Sequence, residues 1–131
     1  QAVNEALPTF RVVADGQVIE SAVLMMLGNG KMYGGPFDVF PNARLDDGKV
    51  DAIVAEKVSG WRAAEYAHAV LTGTLPSLEG VHYLQAESIE VTPLSDARVV
   101  AQLDGDAWGN LPAKISVEPR VLRMVVPRPE N

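Results

Sequence analysis

At 131 residues the chain is the size of one domain, long enough to bury a core and too short for two domains of ordinary size. Hydrophobic residues at 47% and charged residues at 21% are ordinary for a globular protein and exclude disordered, collagenous or repetitive chains. Seventeen acidic residues against eleven basic ones, with no Lys/Arg cluster, argue against a nucleic-acid partner and give no direct support to a membrane surface, because both need clustered cations to meet phosphates.

In chain order, Phe10, Val12 and Ala14 alternate, Asp15-Gly16 suits the positive φ angles of a tight turn, and an apolar-rich run extends from Val18 to Leu27. This predicts a β-hairpin. The second strand is apolar at almost every position after Ser21, which predicts a central strand covered on both faces. Gly28 to Pro36 is a glycine-dense loop, followed by a short strand at Phe37 to Phe40, a turn through Pro41-Asn42, and a strand from Lys49 to Glu56 after Asp46-Asp47-Gly48. One helix is predicted at about 60–72: Ser59 can cap it, Trp61, Ala64, Ala67, Val70 and Leu71 recur at helical spacing, and Gly73 can close it. From Tyr83 alternation returns at Ile89 and Val91, at Val99, Ala101 and Leu103, at Ile115 and Val117, and at Leu122, Met124 and Val126, before a frayed tail from Pro127. The expected fold class is therefore all-β, mainly an antiparallel β-sandwich, with one short α-helix and no βαβ unit.

Ser21 to Gly28, the longest apolar stretch, falls far short of the roughly 20 residues that span a bilayer. No signal peptide opens the chain, and its start at Gln1 reads as an interior point of a longer protein. Without cysteine there is no disulfide framework, thiol nucleophile or thiolate metal site, which suits a cytoplasmic location.

Two acidic turns carry the candidate chemistry. Asp46, Asp47 and Asp51 surround Gly48. Asp and Asn favour turns for conformational reasons, and the same oxygens suit a hard cation such as Mg²⁺ or Ca²⁺. Leu103-Asp104-Gly105-Asp106 ends an alternating strand, where a scaffold holds two acids rigidly yet accessibly; by residue type alone it is a hairpin turn. The loop from Gly28 to Gly35 lacks a following helix, so it is no phosphate cradle, and Asn29 and Tyr33 are its cleft-lining candidates. His68 and His82 have no Ser or Cys partner at a recognisable spacing and read as structural; Trp61 and Trp108 read as packing anchors.

Read in order, Gly28-Asn29-Gly30-Lys31-Met32-Tyr33-Gly34-Gly35, Pro41-Asn42-Ala43-Arg44-Leu45-Asp46-Asp47-Gly48-Lys49-Val50-Asp51 and Leu103-Asp104-Gly105-Asp106 resemble three signature stretches in the C-terminal domain of the diacylglycerol kinase and sphingosine kinase family of bacterial YegS-like lipid kinases. The resemblance covers nearly the whole chain from about Arg11. It implies that residues 1–131 form a single lipid-binding β-sandwich domain, and that the ATP-binding domain, with its Gly-Gly-Asp-Gly-Thr loop, lies outside this chain, in which no such motif occurs. It further implies a structural Mg²⁺ held by main-chain oxygens at Arg44 and Lys49 and by the Asp47 carboxylate. The family usually has an apolar residue where Lys49 stands, a change that a main-chain ligand tolerates. Asp106 would be the general base toward a lipid hydroxyl, with Asp104 linked to the metal turn through water. The family typically has Glu where this chain has Asp106.

The expected function is then the acceptor side of an ATP-dependent lipid kinase, with a diacylglycerol-like lipid or sphingoid base as substrate and the ATP-binding domain of the same protein as partner. Mg²⁺ and ATP are the cofactors implied, and the location is cytoplasmic or peripheral at the inner membrane surface. A non-catalytic β-sandwich binding module with an Asp-rich metal turn is the alternative, and a degenerate kinase-like domain kept for assembly a third.

Overall fold

The computed structural model describes residues 7–33, 37–58, 63–123 and 125. Its elements, in chain order, are β1 (Phe10–Ala14), β2 (Gln17–Ala22), β3 (Leu24–Gly28), β4 (Met32–Tyr33), β5 (Phe37–Asp38), β6 (Val50–Ala55), α1 (Ala63–Thr72), a 3-10 turn (Leu75–Ser77), β7 (Val81–Ala86), β8 (Ser88–Pro93), β9 (Val100–Leu103), β10 (Asp106–Asn110) and β11 (Ala113–Ser116). All strand pairs are antiparallel, so the expected class, mostly antiparallel sheet with one short helix, is the class observed.

Two sheets carry the core, one ordered β11-β8-β1-β2 and the other β3-β6-β7. The predicted β1–β2 hairpin forms, with Asp15 at φ 46° and Gly16 at φ 86°. Asp15 also reaches across the molecule. Its carboxylate accepts the Glu87 and Ser88 amides at 2.8 and 3.0 Å, and its own amide donates to the Ser88 carbonyl at 3.1 Å. Glu87 is the single residue between β7 and β8, where the chain passes from one sheet to the other, so Asp15 clamps that crossing.

The apolar run from Val18 to Leu27 is not one central strand. It breaks at Val23 into β2 and β3, which lie at the edges of different sheets, and the Val23 amide donates to the Ala55 carbonyl at 2.9 Å. Continuous apolar character here reflects a chain that serves two layers in turn. The strand buried on both faces is β6, every residue of which is buried. Alternation sends Val50, Ala52 and Val54 into a cluster with Phe10, Val12, Ile19, Leu84, Ile89 and Val91 between the sheets. Ile53 and Ala55 enter a second cluster with Val39, Phe40, Ala43, Ala69, Leu75 and Val81, on the outer face of β6 and β7.

The helix covers that second face through Tyr66, Ala69 and Val70, whereas Ala64, Ala67 and Leu71 are exposed. The helical period is therefore as expected, but the buried stripe is rotated by one residue, fixed by the Tyr66 hydroxyl donating to the Lys57 carbonyl at 2.9 Å. Gly73, at φ 68°, closes the helix as expected, and the Thr74 amide returns to the Ala69 carbonyl at 2.9 Å. Ser59 and Trp61 lie outside the described residues. The predicted last strand does not form over Leu122; Met124 and Val126 lie outside the described residues, and β11 ends the sheet instead. Among the described residues no helix is long and apolar enough to cross a membrane.

Candidate functional site

The first acidic turn runs from Pro41 to Lys49 and is anchored at both ends by burial. Phe40 is fully buried before it and Val50 opens β6 after it. The Phe40 ring lies directly on Gly28, where an added Cβ would stand 2.4 Å from ring atoms Cδ2 and Cε2. This glycine is thus required by close packing. Inside the turn the Ala43 amide donates to the Phe40 carbonyl at 3.1 Å, and the Lys49 amide donates to Asp47 Oδ1 at 2.9 Å. Gly48 takes φ 69°, and Pro119 covers it, 3.6 Å from where a Cβ would stand.

The three carboxylates of this region part company. Asp46 pairs with Arg44, Nε to Oδ1 at 3.2 Å, on the exposed surface, a contact worth little in water. Asp47 is half-buried and keeps its second oxygen free of partners among the described residues. Asp51 is not a solvated turn acid, because it lies in β6 and is fully buried. Its partners on the neighbouring strands are Gly28 and Gln85. Asp51 Oδ2 accepts from the Tyr83 hydroxyl and from Gln85 Nε2, the latter at 3.1 Å. The same two side chains hold the main chain of Asn42: its amide donates to the Tyr83 oxygen at 3.2 Å and its carbonyl accepts from Gln85 Nε2 at 3.0 Å. Burial, and then the hydrogen bond to Asp51, push the Tyr83 phenol well above its ordinary value near 10, so it remains a donor at neutral pH.

A Mg²⁺ ion takes hard oxygen ligands and retains several waters. The turn supplies oxygens of that kind, one free Asp47 oxygen and the main-chain carbonyls beside it, and among the described residues no group of three His, Cys, Asp or Glu side chains converges to make an all-side-chain site. The donor chemistry fits a cation held by main chain, one carboxylate and water.

The second acidic turn joins β9 to β10. Asp104 and Gly105 take φ 50° and 85°, the two positive angles of a type I′ hairpin, and Asp106 pairs with Leu103 as the first residue of β10. The base of the hairpin is braced by the Leu111 amide on the Val99 carbonyl at 3.0 Å and by Arg98 Nε on Asn110 Oδ1 at 3.0 Å. Val99 and Leu111 pack on the inter-sheet core, while Asp104, Asp106, Leu103 and Trp108 are exposed. A register shift between Ala107 and Gly109 places Trp108 on a bulge. With 58% of its surface exposed, Trp108 does not act as a packing anchor here.

Asp104 and Asp106 are thus brought together on one exposed hairpin tip, and Arg44, Asp47 and Lys49 on one turn, but among the described residues no hydrogen bond or ion pair joins the two turns. Asn29 is exposed beyond the end of β3; the Tyr33 side chain lies outside the described residues. His68 is exposed on α1, and His82 Nε2 lies 3.4 Å from Glu56 Oε1, far from either acidic turn in the strand register. Tyr83 and Gln85 escaped the sequence reading. Their signal is period two: both are polar on the face of β7 whose other neighbours are apolar.

The family model of the YegS C-terminal NAD kinase beta sandwich-like domain matches residues 5–126. A diacylglycerol kinase of Mycobacterium tuberculosis is 30% identical over 121 residues, covering 91% of this chain and 38% of that protein. One from Staphylococcus aureus is 33% identical over 111 residues, covering 79% of this chain and 32% of that protein. The crystal structure of a diacylglycerol kinase from Bacillus anthracis str. Sterne superposes with TM-score 0.66 at 26% identity, over 88% of this chain and 40% of that one. The chain therefore spans less than half the length of these relatives. Matched by that family model over residues 5–126 and 30% identical to a curated diacylglycerol kinase over 91% of its own length, the chain belongs to the diacylglycerol kinase and YegS-like lipid kinase family, as the C-terminal β-sandwich domain.

Proposed function

We propose that this chain is the acceptor-side domain of an ATP-dependent lipid kinase, in which Asp106 is the general base and the Pro41–Lys49 turn holds a structural Mg²⁺. The observation that carries this reading is the hairpin tip: two exposed carboxylates, on a type I′ turn whose base, Val99 and Leu111, packs on the core. Phosphoryl transfer asks the protein for positioning and charge stabilisation, so one well-placed carboxylate suffices as base. Asp106 accepts the proton of the lipid hydroxyl as that oxygen bonds to the γ-phosphorus of ATP and the bond to the ADP oxygen breaks. Asp104, two residues away at the turn, sets a second carboxylate on the same tip.

A Mg²⁺ bound by the Arg44 and Lys49 carbonyls and Asp47 would supply fixed positive charge that rigidifies the turn. ATP is held mainly by the domain outside this chain. The lipid is a diacylglycerol-like alcohol or a sphingoid base. The space between the sheets is filled by Phe10, Val12, Val54, Ile89 and Val91, so the acyl chain runs along the exposed apolar surface beside the hairpin, where Leu103 and Val100 are each 61% exposed.

The test is incorporation of radiolabel from ATP into a panel of acylglycerols and sphingoid bases by the intact protein, beside Asp106→Asn. One lipid should be labelled, and Asp106→Asn should lower kcat by at least about a hundredfold. No labelling of any lipid would refute the proposal and leave the non-catalytic binding module standing.

A further inference from the structure

We infer that Tyr83 and Gln85, gathered on the buried carboxyl of Asp51, form a positioning unit that sets the geometry of the Pro41–Lys49 cation turn, an inference that rests on the turn's proposed role. The unit has a closed connectivity. One carboxylate oxygen, Asp51 Oδ2, receives both side chains, and those side chains bond the amide and the carbonyl of Asn42. Asn42 enters the turn, and Asp51 follows its exit by two residues, so a single buried group ties the two ends together.

The other side-chain bonds of the turn, Arg44 to Asp46 and Lys49 to Asp47, are local and exposed, so beside the apolar anchoring by Phe40, Ala43 and Val50 this unit supplies the polar side-chain tie between the turn and the sheet among the described residues. The structural cost of the unit also argues for a role. Asp51 is 0% exposed, and its second oxygen, Oδ1, is buried with no donor among the described residues. A buried carboxyl with an unpartnered oxygen is costly, and an apolar residue would pack the same sheet face at lower cost, as Ile53 and Ala55 do two and four residues further along β6. A carboxyl group retained in a sheet centre, whose side-chain partners among the described residues hold one main-chain residue of that turn, has the character of the outer partners that orient ligands around metal sites. Gly28 and Phe40 complete the arrangement by filling the other side of Asp51 in the sheet.

Magnesium chloride alone, without nucleotide, is titrated by calorimetry into the intact protein and into Asp47→Asn, Tyr83→Phe and Gln85→Leu, and amide exchange of residues 42–49 is followed in each. Expected are Mg²⁺ binding by the wild type, its loss in Asp47→Asn, and at least about tenfold weaker binding in Tyr83→Phe and in Gln85→Leu. In the two network variants the Asn42 and Ala43 amides should exchange at least tenfold faster, while those of β1 and β8 keep their wild-type rates. A general loss of stability would raise exchange in β1 and β8 as well, and that outcome overturns the positioning role. Wild-type affinity, within twofold, in Tyr83→Phe and Gln85→Leu also overturns it, and leaves the cation turn intact if Asp47→Asn has lost binding. Unchanged binding in Asp47→Asn, or none in the wild type, refutes the cation turn itself and with it this inference.

Discussion

Replacing Gly28 by Ala tests the packing that supports the Pro41–Lys49 turn. The φ angle of Gly28 is not positive, so no backbone strain accompanies the change, and the whole effect comes from one methyl group. That group would stand 2.4 Å from two carbons of the Phe40 ring and 3.1 Å from a third, where undisturbed carbon contacts lie at about 3.5–4.0 Å. Ring or strand must move by about 1 Å. Phe40 is 0% exposed and cannot retreat into solvent, so the displacement passes into Ala43 and the turn. Overpacking of this kind costs about 1–3 kcal/mol, and a value near 2 kcal/mol lowers the ratio of folded to unfolded protein about thirtyfold. For a chain of this length the melting temperature should fall by about 5–10 °C.

The assay is urea unfolding of four proteins: wild type, Gly28→Ala, Phe40→Leu and the double variant. Leucine at position 40 leaves room for the new methyl, so the double variant should be about 1 kcal/mol more stable than the sum of the single losses predicts. If Gly28→Ala lies within about 0.5 kcal/mol of wild type, or costs the same whichever residue occupies position 40, the reasoning fails.

Asp15→Ala should destabilise the protein by about 1–2 kcal/mol, since it strands the Glu87 and Ser88 amides, whereas Asp15→Asn, which keeps one acceptor and tolerates φ 46°, should lose less; chemical denaturation separates them. Because the Tyr83 phenol is raised in the folded state, the unfolded chain gives up that proton first, and stability should fall as pH rises above about 10; Tyr83→Phe should flatten that alkaline limb in melting experiments. On the proposed role of Asp106 as general base, Asp106→Glu, which keeps the carboxylate, should retain lipid phosphorylation by the intact protein, while Asp106→Asn should lower it at least about a hundredfold, as initial rates with labelled ATP will report.

Of the site, the two acidic turns were legible because turn chemistry is local. Asp-Gly pairs accept positive φ more readily than most residues, and Asp15-Gly16 and Asp104-Gly105 adopt it at both positions, Asp47-Gly48 at the glycine. The role of Asp51 was not legible. Three residues beyond Gly48 it reads as one more turn acid, and only the pairing of β6 with β3 and β7 carries it into the interior, opposite Gln85 and beside Tyr83. Likewise Trp108 looks like a core residue by type, and the bulge in β10 turns it to the surface.

Strand character, the single helix and its glycine stop, and the motifs that mark the family follow from the sequence by itself, since alternation, helical spacing and turn residues act over a few positions. Which strand would be central was decided only by the tertiary structure. The run from Val18 to Leu27 and the strand after Gly48 are both continuously apolar over most of their length. The first splits between the edges of two sheets because the chain changes layer at Val23, and the second is covered on both faces because β3 and β7 flank it while the core and the helix layer close over it. Burial is a property of what surrounds a strand, and those neighbours come from distant parts of the chain.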